Sequence, residues 1–290
     1  MRVLGIDIGG TAVKGGWIED FKVKKKTVIL TDKVNPMKTV KSLINKYLAT
    51  RKPSVIGIAT GGRVNCKTGE VMFATPNLKQ WTGLNLKEIL QEEFKVPVFV
   101  INDSRAAALA EAKLRNVDSL FMLTIGTGLG GGYVKSGKVL LGESWEAGEI
   151  GHTILYPNGR ECNCGKKGCA EQYISMKVLH KYAGVKDRKE LLKLFEKNSE
   201  KVIKALEIMA NDLAILIDRI FLEFDPEFIT LGGGFSELGD KALRIVRKKL
   251  RKFAEFSMYS VDRVVMSKLG NDAGMLGAAI FAEENLSNLM

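Results

Sequence analysis

Two glycine-rich turns, each framed by extended segments, constrain this chain more than any other feature of it. The first reads Asp7-Ile8-Gly9-Gly10-Thr11, the second Thr124-Ile125-Gly126-Thr127-Gly128-Leu129-Gly130-Gly131-Gly132. Each follows an apolar run that predicts a buried strand, Val3–Ile8 and residues 120–125. Each is followed by a second extended stretch, residues 12–18 and 133–141. Without a Cβ, glycine lets successive backbone N–H groups wrap a phosphate oxygen. Asp7 adds a carboxylate of the hard-oxygen type that holds Mg²⁺ near phosphates. Two such cradles about a domain's length apart predict two lobes with a nucleotide clamped between them.

Gly126, Gly128 and Gly131 also fit the G-x-G-x-x-G spacing of a dinucleotide site. That site needs a helix next, because the pyrophosphate sits on a helix N-terminus. Here Tyr133-Val134-Lys135 and Lys138-Val139-Leu140-Leu141 flank a Ser-Gly turn, so the pattern predicts a β-hairpin and the dinucleotide reading fails.

The remaining pattern is alternating α/β. A meander of strands (3–8, 12–18, 22–30) leads to a helix from Pro36 with Val40, Leu43, Ile44, Tyr47 and Leu48 on one face. Strands are predicted at 55–60 and 98–101, with a helix over 86–94 between them. The second half repeats the plan with a meander over 120–141, a long helix over 200–224, strands at 228–231 and 263–266, and a closing helix over 274–284. Residues 1–105 plus 274–290 are expected to form the N-terminal lobe and 106–273 the C-terminal lobe.

Three of the four cysteines cluster in Cys162-Asn163-Cys164-Gly165-Lys166-Lys167-Gly168-Cys169, with His152, one of two histidines, shortly upstream. Thiolates plus one imidazole are the donor set of a closed tetrahedral zinc site. The alternative is a disulfide with a free thiol, but a Cys-x-Cys pair is cramped for bridging and nothing marks the chain as secreted. A zinc ribbon for nucleic acid would want a second Cys-x-x-Cys pair, which lone Cys66 cannot supply.

The formal charge of +11 invites a nucleic-acid reading. The basic residues are spread over helix faces and turns, without basic–aromatic interleaving, and read as a solvated surface that attracts anionic nucleotides. The expectation is therefore no nucleic-acid partner. No stretch reaches the roughly 18 apolar residues of a membrane span. With the first strand starting at Val3, no leader and no upstream DNA-binding module are expected, and the protein is expected to be cytoplasmic.

Taken together, these segments resemble the ROK family of sugar kinases and repressors, of the actin/hexokinase-like (ribonuclease H-like) ATPase fold. The residues that carry the resemblance are the loop over 7–14, Asn102-Asp103, the loop over 124–132, Glu149-Ile150-Gly151-His152, and the cysteine cluster running on to Glu171 and Ser175. Gly232-Gly233-Gly234 and Ala273-Gly274-Met275-Leu276-Gly277-Ala278 add to it. The resemblance implies a two-lobed α/β fold with a cleft between the lobes, transfer of the γ-phosphate of ATP to a sugar 6-hydroxyl, and a homodimer or higher homo-oligomer.

By that resemblance Asp103 is the general base, and Asn77, Asn102, Asp103, Glu149, His152 and Glu171 surround the sugar. Asp7, Gly9, Gly10, Thr11 and Lys14, Gly126, Thr127 and Gly128, and Gly232, Gly233 and Gly234 hold ATP and its Mg²⁺. His152, Cys162, Cys164 and Cys169 hold a structural Zn²⁺. From the residues alone, Asp103 or Ser104 capping a helix through Arg115 is an equal alternative to catalysis. Trp81 is expected either to line the sugar pocket or to be structural, and His180 to be a surface or packing residue. Glu149 points to glucose or a close aldohexose such as mannose or glucosamine. Thr60-Gly61-Gly62 departs from the family's Pro-Gly pair, and Ile101 stands where glucose-type members carry Glu; Ile101-Asn102-Asp103 resembles the N-acetylmannosamine type. N-acetylmannosamine, N-acetylglucosamine or fructose is thus the alternative substrate, and a sugar-sensing regulator the alternative function.

Overall fold

The computed structural model describes residues 2–74, 76–255 and 257–288. The chain divides into two compact units, one of Met1–Leu114, Lys138–Ala147 and Asn271–Met290, the other of Arg115–Gly137 and Gly148–Gly270.

In the first unit, β1 (Val3–Ile8), β2 (Ala12–Glu19) and β3 (Lys22–Leu30) form the meander. It is followed by α1 (Pro36–Leu48), β4 (Val55–Thr60), the short pair β5 (Arg63–Asn65) and β6 (Glu70–Phe73), α2 (Leu86–Phe94), β7 (Val98–Asn102) and α3 (Asp103–Arg115). The sheet order is β3-β2-β1-β4-β7. β1 pairs antiparallel with β2 and parallel with β4, which pairs parallel with β7. β4 and β7 are buried at every position, as expected for parallel strands covered on both faces. α1 starts where the Asn35 side chain accepts the Lys38 N–H and Pro36 supplies a pre-set φ. Its Val40, Leu43 and Ile44 are fully buried, and the Tyr47 hydroxyl donates to the Gly15 carbonyl at 2.6 Å.

The second unit repeats the plan. β8 (Ser119–Ile125) and β9 (Leu129–Lys135) form an antiparallel hairpin, which removes the helix a dinucleotide site would need. The chain then passes through β10 (Lys138–Val139), shorter than the stretch to 141 that the sequence predicts. Helices α4 (Met176–Ala183), α5 (Arg188–Glu196) and α6 (Glu200–Phe224) precede β11 (Phe228–Gly232), α7 (Gly239–Ala254) and β12 (Val264–Met266). β8, β11 and β12 run parallel in that spatial order. The order β9-β8-β11-β12 thus reproduces β2-β1-β4-β7, so the second unit repeats the plan of the first, as the sequence pattern predicts. α6 buries Leu206, Met209, Leu213, Leu216, Ile217 and Ile220, the stripe its spacing predicts.

The last helix, α8 (Ala273–Ser287), is apolar all round as far as Ala282 and belongs to the first unit. Its backbone lies directly on two strands. A Cβ on Gly5 of β1 would stand 2.5 Å from the Met275 carbonyl oxygen, and one on Gly57 of β4 would stand 2.1 Å from that of Ala278. Its own Gly277 meets α3 in the same way, with an added Cβ 1.7 Å from the Ala106 carbonyl oxygen. Among the described residues no helix is long and apolar enough to cross a membrane.

Because backbone rather than a flexible side chain opposes the new atom, Gly277→Ala is expected to cost about 1–3 kcal/mol, the range for overpacked cores. Urea unfolding measures it; a loss under about 0.5 kcal/mol would show that α8 and α3 can part without penalty.

Candidate active site

In the first unit three loops lie at the C-terminal ends of the parallel strands. After β1 the Gly9 N–H donates to the Ala12 carbonyl at 3.0 Å and closes the first glycine turn. Thr31 fastens that turn twice, its hydroxyl donating to the Gly9 carbonyl at 2.7 Å and its N–H to the Thr11 carbonyl at 3.0 Å. No sequence signal marked Thr31. Asp7 and Lys14 are register partners across β1 and β2, and their charged ends meet at 3.1 Å. Gly274, in the first turn of α8, leaves the Asp7 carboxylate its space: a Cβ there would come within 3.1 Å of Asp7 Cγ. Gly10 is half-buried and Thr11 exposed.

After β7 come Asn102 and Asp103. The buried Asn102 side chain is the helix cap: its Oδ1 accepts the N–H groups of Ser104 (3.0 Å) and Arg105 (3.2 Å), and its Nδ2 donates to the Gly62 carbonyl at 3.0 Å. Asp103 accepts the Ser104 N–H at 2.7 Å through Oδ1. Its Oδ2 faces Gly61, 3.9 Å from where a Cβ would stand. The Asn102 amide therefore fixes both the start of α3 and the loop after β4. Trp81 is structural, buried with its indole N–H on the Thr60 hydroxyl at 3.0 Å. The Asn77 side chain lies outside the described residues.

In the second unit the hairpin loop between β8 and β9 and the loop after β11 touch. A Cβ on Gly233, which has φ +67°, would stand 2.7 Å from the Ile125 carbonyl oxygen, so only glycine fits both the space and the backbone. Met176 donates its N–H to the Gly126 carbonyl at 2.8 Å, seating α4 on the same loop. Gly232 is buried, Gly234 half-buried and Thr127 exposed. Glu171 reaches this loop as well. Its Oε2 accepts the Leu129 N–H at 3.0 Å and lies 2.1 Å from where a Cβ on Gly128 would stand. A residue expected at the sugar thus rests directly on the loop expected at the phosphates. Glu149 begins the short helical turn Ile150–His152, its carbonyl accepting the His152 N–H at 3.1 Å.

His152, Cys162, Cys164 and Cys169 converge, with all four candidate donor atoms within 4.8 Å of one another. Cys164 Sγ lies 3.6 Å from Cys169 Sγ, and Cys162 Sγ 3.8 Å from His152 Nδ1. The cysteines are free thiols. A tetrahedron with zinc–sulfur bonds of about 2.3 Å has edges of about 3.8 Å, so the donor set fits that ion. Burial and the neighbouring Cys164 and Cys162 thiols push the Cys169 thiol up to about 12, and a cation relieves that crowding by displacing protons. Nδ1 faces the cysteines, which leaves Nε2 for another partner. Gln172 donates to Cys162 Sγ at 3.5 Å.

The cysteine loop is fastened from outside. Leu155 donates its N–H to the Gly168 carbonyl at 2.8 Å, the Arg160 N–H donates to the Tyr173 hydroxyl at 2.8 Å, and the Arg160 guanidinium lies 4.5 Å over the Tyr173 ring. The Tyr156 hydroxyl donates to Asp212 of α6 at 2.6 Å. Burial raises the pKa of Asp212 and, with the help of that carboxylate, pushes the Tyr156 hydroxyl up to about 12. His180, in the last turn of α4, packs with its Nε2 buried.

The family model of the ROK family matches residues 3–285. The chain is 30% identical to a glucokinase of Thermotoga maritima, covering 99% of this chain and 98% of that protein. It is 31% identical to an N-acetylmannosamine kinase of Haemophilus influenzae, covering 99% and 97%. The solved structure of a ROK family glucokinase from Streptomyces griseus in complex with glucose and AMPPNP superposes with a TM-score of 0.89 at 26% identity, over 98% of this chain and 100% of that one.

The raised pKa of Asp212 has a definite sign. The folded protein keeps the carboxyl proton to higher pH than the unfolded chain does. That contribution to stability is complete below the unfolded value and is lost as pH rises through the folded one. Asp212→Asn keeps an acceptor for Tyr156 and removes the charge. Its melting temperature relative to the parent is therefore expected to rise as pH climbs from the unfolded carboxyl value, about 4, through the raised folded one. A relative melting temperature that falls over that window would contradict the assignment.

Proposed function

The chain belongs to the ROK family, and from that premise we propose that it is an ATP-dependent sugar kinase that phosphorylates the 6-hydroxyl of a hexose. The observation that carries this reading is the placement of Asp103. Its carboxylate stands where a fully buried strand ends and a helix begins, one oxygen tied to the Ser104 N–H and the other facing the open glycine at 61. Phosphoryl transfer depends on placing the nucleophile in line and stabilising spread charge, and a rigid carboxylate suits the first task. Asp103 takes the proton of the 6-hydroxyl as that oxygen forms its bond to the γ-phosphorus, and the bond to the β-bridging oxygen of ATP breaks to release ADP.

Gly10, Thr11 and Lys14 of the first turn, with Thr127 and Gly128 of the second, would present backbone donors and a cation to the phosphates, while Gly9 and Gly126 shape the turns, their own N–H groups bonded to the Ala12 and Gly128 carbonyls. Gly232, Gly233 and Gly234 let the nucleotide approach the backbone. Asp7, given its space by Gly274, would hold Mg²⁺, which when bound neutralises charge on the β- and γ-phosphates. Zinc held by His152, Cys162, Cys164 and Cys169 would fix the turn carrying His152. Glu149, Glu171, the second nitrogen of His152 and, from the loop over 76–81, Asn77 would then receive the sugar hydroxyls. Asn102 serves that pocket by capping α3 and holding the Gly62 loop.

Glucose, or a close aldohexose, is the preferred acceptor. Glu149 can accept two hydrogen bonds from ring hydroxyls, and a sugar lacking one of those hydroxyls forgoes a bond. The second reading is an N-acetylated hexosamine, with fructose behind it. It is favoured by Ile101, which is fully buried and brings no carboxylate beside Asn102.

Asp103→Asn keeps the shape and the bond to Ser104 but not the base, and is expected to lower kcat about 10²–10⁴-fold with sugar binding retained. Near-normal turnover in that variant would refute the role. Metal analysis of unchelated protein is expected to give one zinc per chain. Removing it should weaken sugar binding more than nucleotide binding, because the cluster holds the His152 turn. Zinc-free protein as isolated would refute the zinc assignment, and equal weakening of both ligands would refute its selective role at the sugar.

A further inference from the structure

Arg105 lies on α3 two residues beyond Asp103, in an alanine-rich helix whose sequence gave no reason to notice it. Its side chain is wholly buried. Nη2 donates to the carbonyls of Trp145 (2.7 Å) and Ala147 (2.9 Å), and Nε donates to Ala147 again (3.2 Å). Both carbonyls sit on Lys138–Ala147, a stretch that belongs to the first unit although the chain before it and after it belongs to the second. This strap has little structure of its own beyond β10. Its internal bonds are long, Trp145 N–H to Gly142 at 3.4 Å and Ala147 N–H to Leu141 at 3.3 Å. Trp145 also adopts φ +59°, a left-handed conformation unfavourable for a bulky residue. An Arg63–Glu146 ion pair at 2.8 Å and Lys67 5.9 Å above the Trp145 ring add weaker, partly exposed ties.

A buried guanidinium is costly unless its donors are met, and here charge-assisted bonds to two carbonyls meet several of them. The planar fork is what allows one side chain to hold both peptides; a lysine ammonium has no such geometry. The consequence runs along the chain. Glu149 follows the clamped Ala147 by two residues, no more than about 7 Å of backbone. The Glu149 carbonyl is in turn bonded to the His152 N–H, so residues 149–152 move as one turn.

We propose that Arg105 is a positioning residue for sugar recognition: by clamping the carbonyls of Trp145 and Ala147 it fixes the approach of the chain into the turn that carries Glu149 and His152. The link to sugar rests on the reading above, in which those two residues hold the sugar; the clamp itself does not. Asp103 and Arg105 then make α3 serve twice, presenting the base from its first residue and setting the strap from its third.

The test has three arms. In the unaltered protein the Trp145 and Ala147 amides, which donate within the strap, should exchange more slowly than those of an open loop; exchange of both at the open-loop rate would overturn the clamp without any variant being made. Arg105→Lys and Arg105→Met should speed exchange of the Trp145 and Ala147 amides by about tenfold or more while α3 stays protected. In the same variants sugar KM should rise by about tenfold or more, with ATP KM within about twofold and zinc content unchanged. Arg105→Lys should recover little, because the fork is what matters. Unchanged strap exchange, recovery by lysine, or parallel rises in both KM values would overturn the proposal. Should the unaltered protein phosphorylate no sugar, the kinase reading fails while the exchange arms still decide the clamp.

Discussion

The candidate phosphate loops and the candidate base of this chain depend on burial of parallel strand triplets, β1-β4-β7 in the first unit and β8-β11-β12 in the second. Strands covered on both faces cannot shift register without exposing apolar side chains, so what stands at their C-terminal ends stands still. Asp7, the Thr60–Gly62 loop, Asn102 and Asp103 follow one triplet. The Gly126–Gly128 turn and Gly232–Gly234 follow the other. Close approach of backbone to backbone keeps the first triplet covered, since α8 rests on Gly5 and Gly57 with no room for a Cβ.

On that frame the polar groups hold one another as much as they would hold a ligand. Asn102 spends its amide on the head of α3 and on Gly62. Glu171 seats itself on Gly128 and Leu129, so the loop assigned to phosphate and a residue assigned to sugar share one contact in the second unit. The cysteine loop is braced through Tyr156 and Asp212 to the longest helix of that unit. Such shared contacts imply that substitutions at Glu171 or Tyr156 reach beyond their own loops, and their effects will not add.

Much of this could be read from the residues. The strands showed because short, mostly apolar runs such as residues 98–101 and 120–125, ending at turn-forming residues, have few alternatives, and the hairpin after Gly132 showed through its Ser-Gly turn. The metal cluster was legible because four strong donors lay close in sequence. The β5–β6 pair was not, since strands of three and four residues carry no period. Leu140 and Leu141 continued an extended pattern, yet they fall in the strap that leaves β10 to be held by Arg105. Arg105 itself was invisible, because an arginine in a helix reads as a solvated face until the carbonyls that fold over it are known. The resemblance places Asn102 at the sugar, and its three hydrogen bonds add a capping role that the sequence does not show.

The central claim is that these loops form a hexose kinase. ADP release by the unaltered protein, measured with Mg²⁺ and ATP over glucose, mannose, N-acetylglucosamine, N-acetylmannosamine and fructose, tests it most directly. The account predicts sugar-dependent ADP release with the highest kcat/KM for glucose or mannose. Preference for an N-acetyl sugar or fructose would overturn the acceptor and leave the kinase standing; no ADP release with any hexose would contradict the account itself.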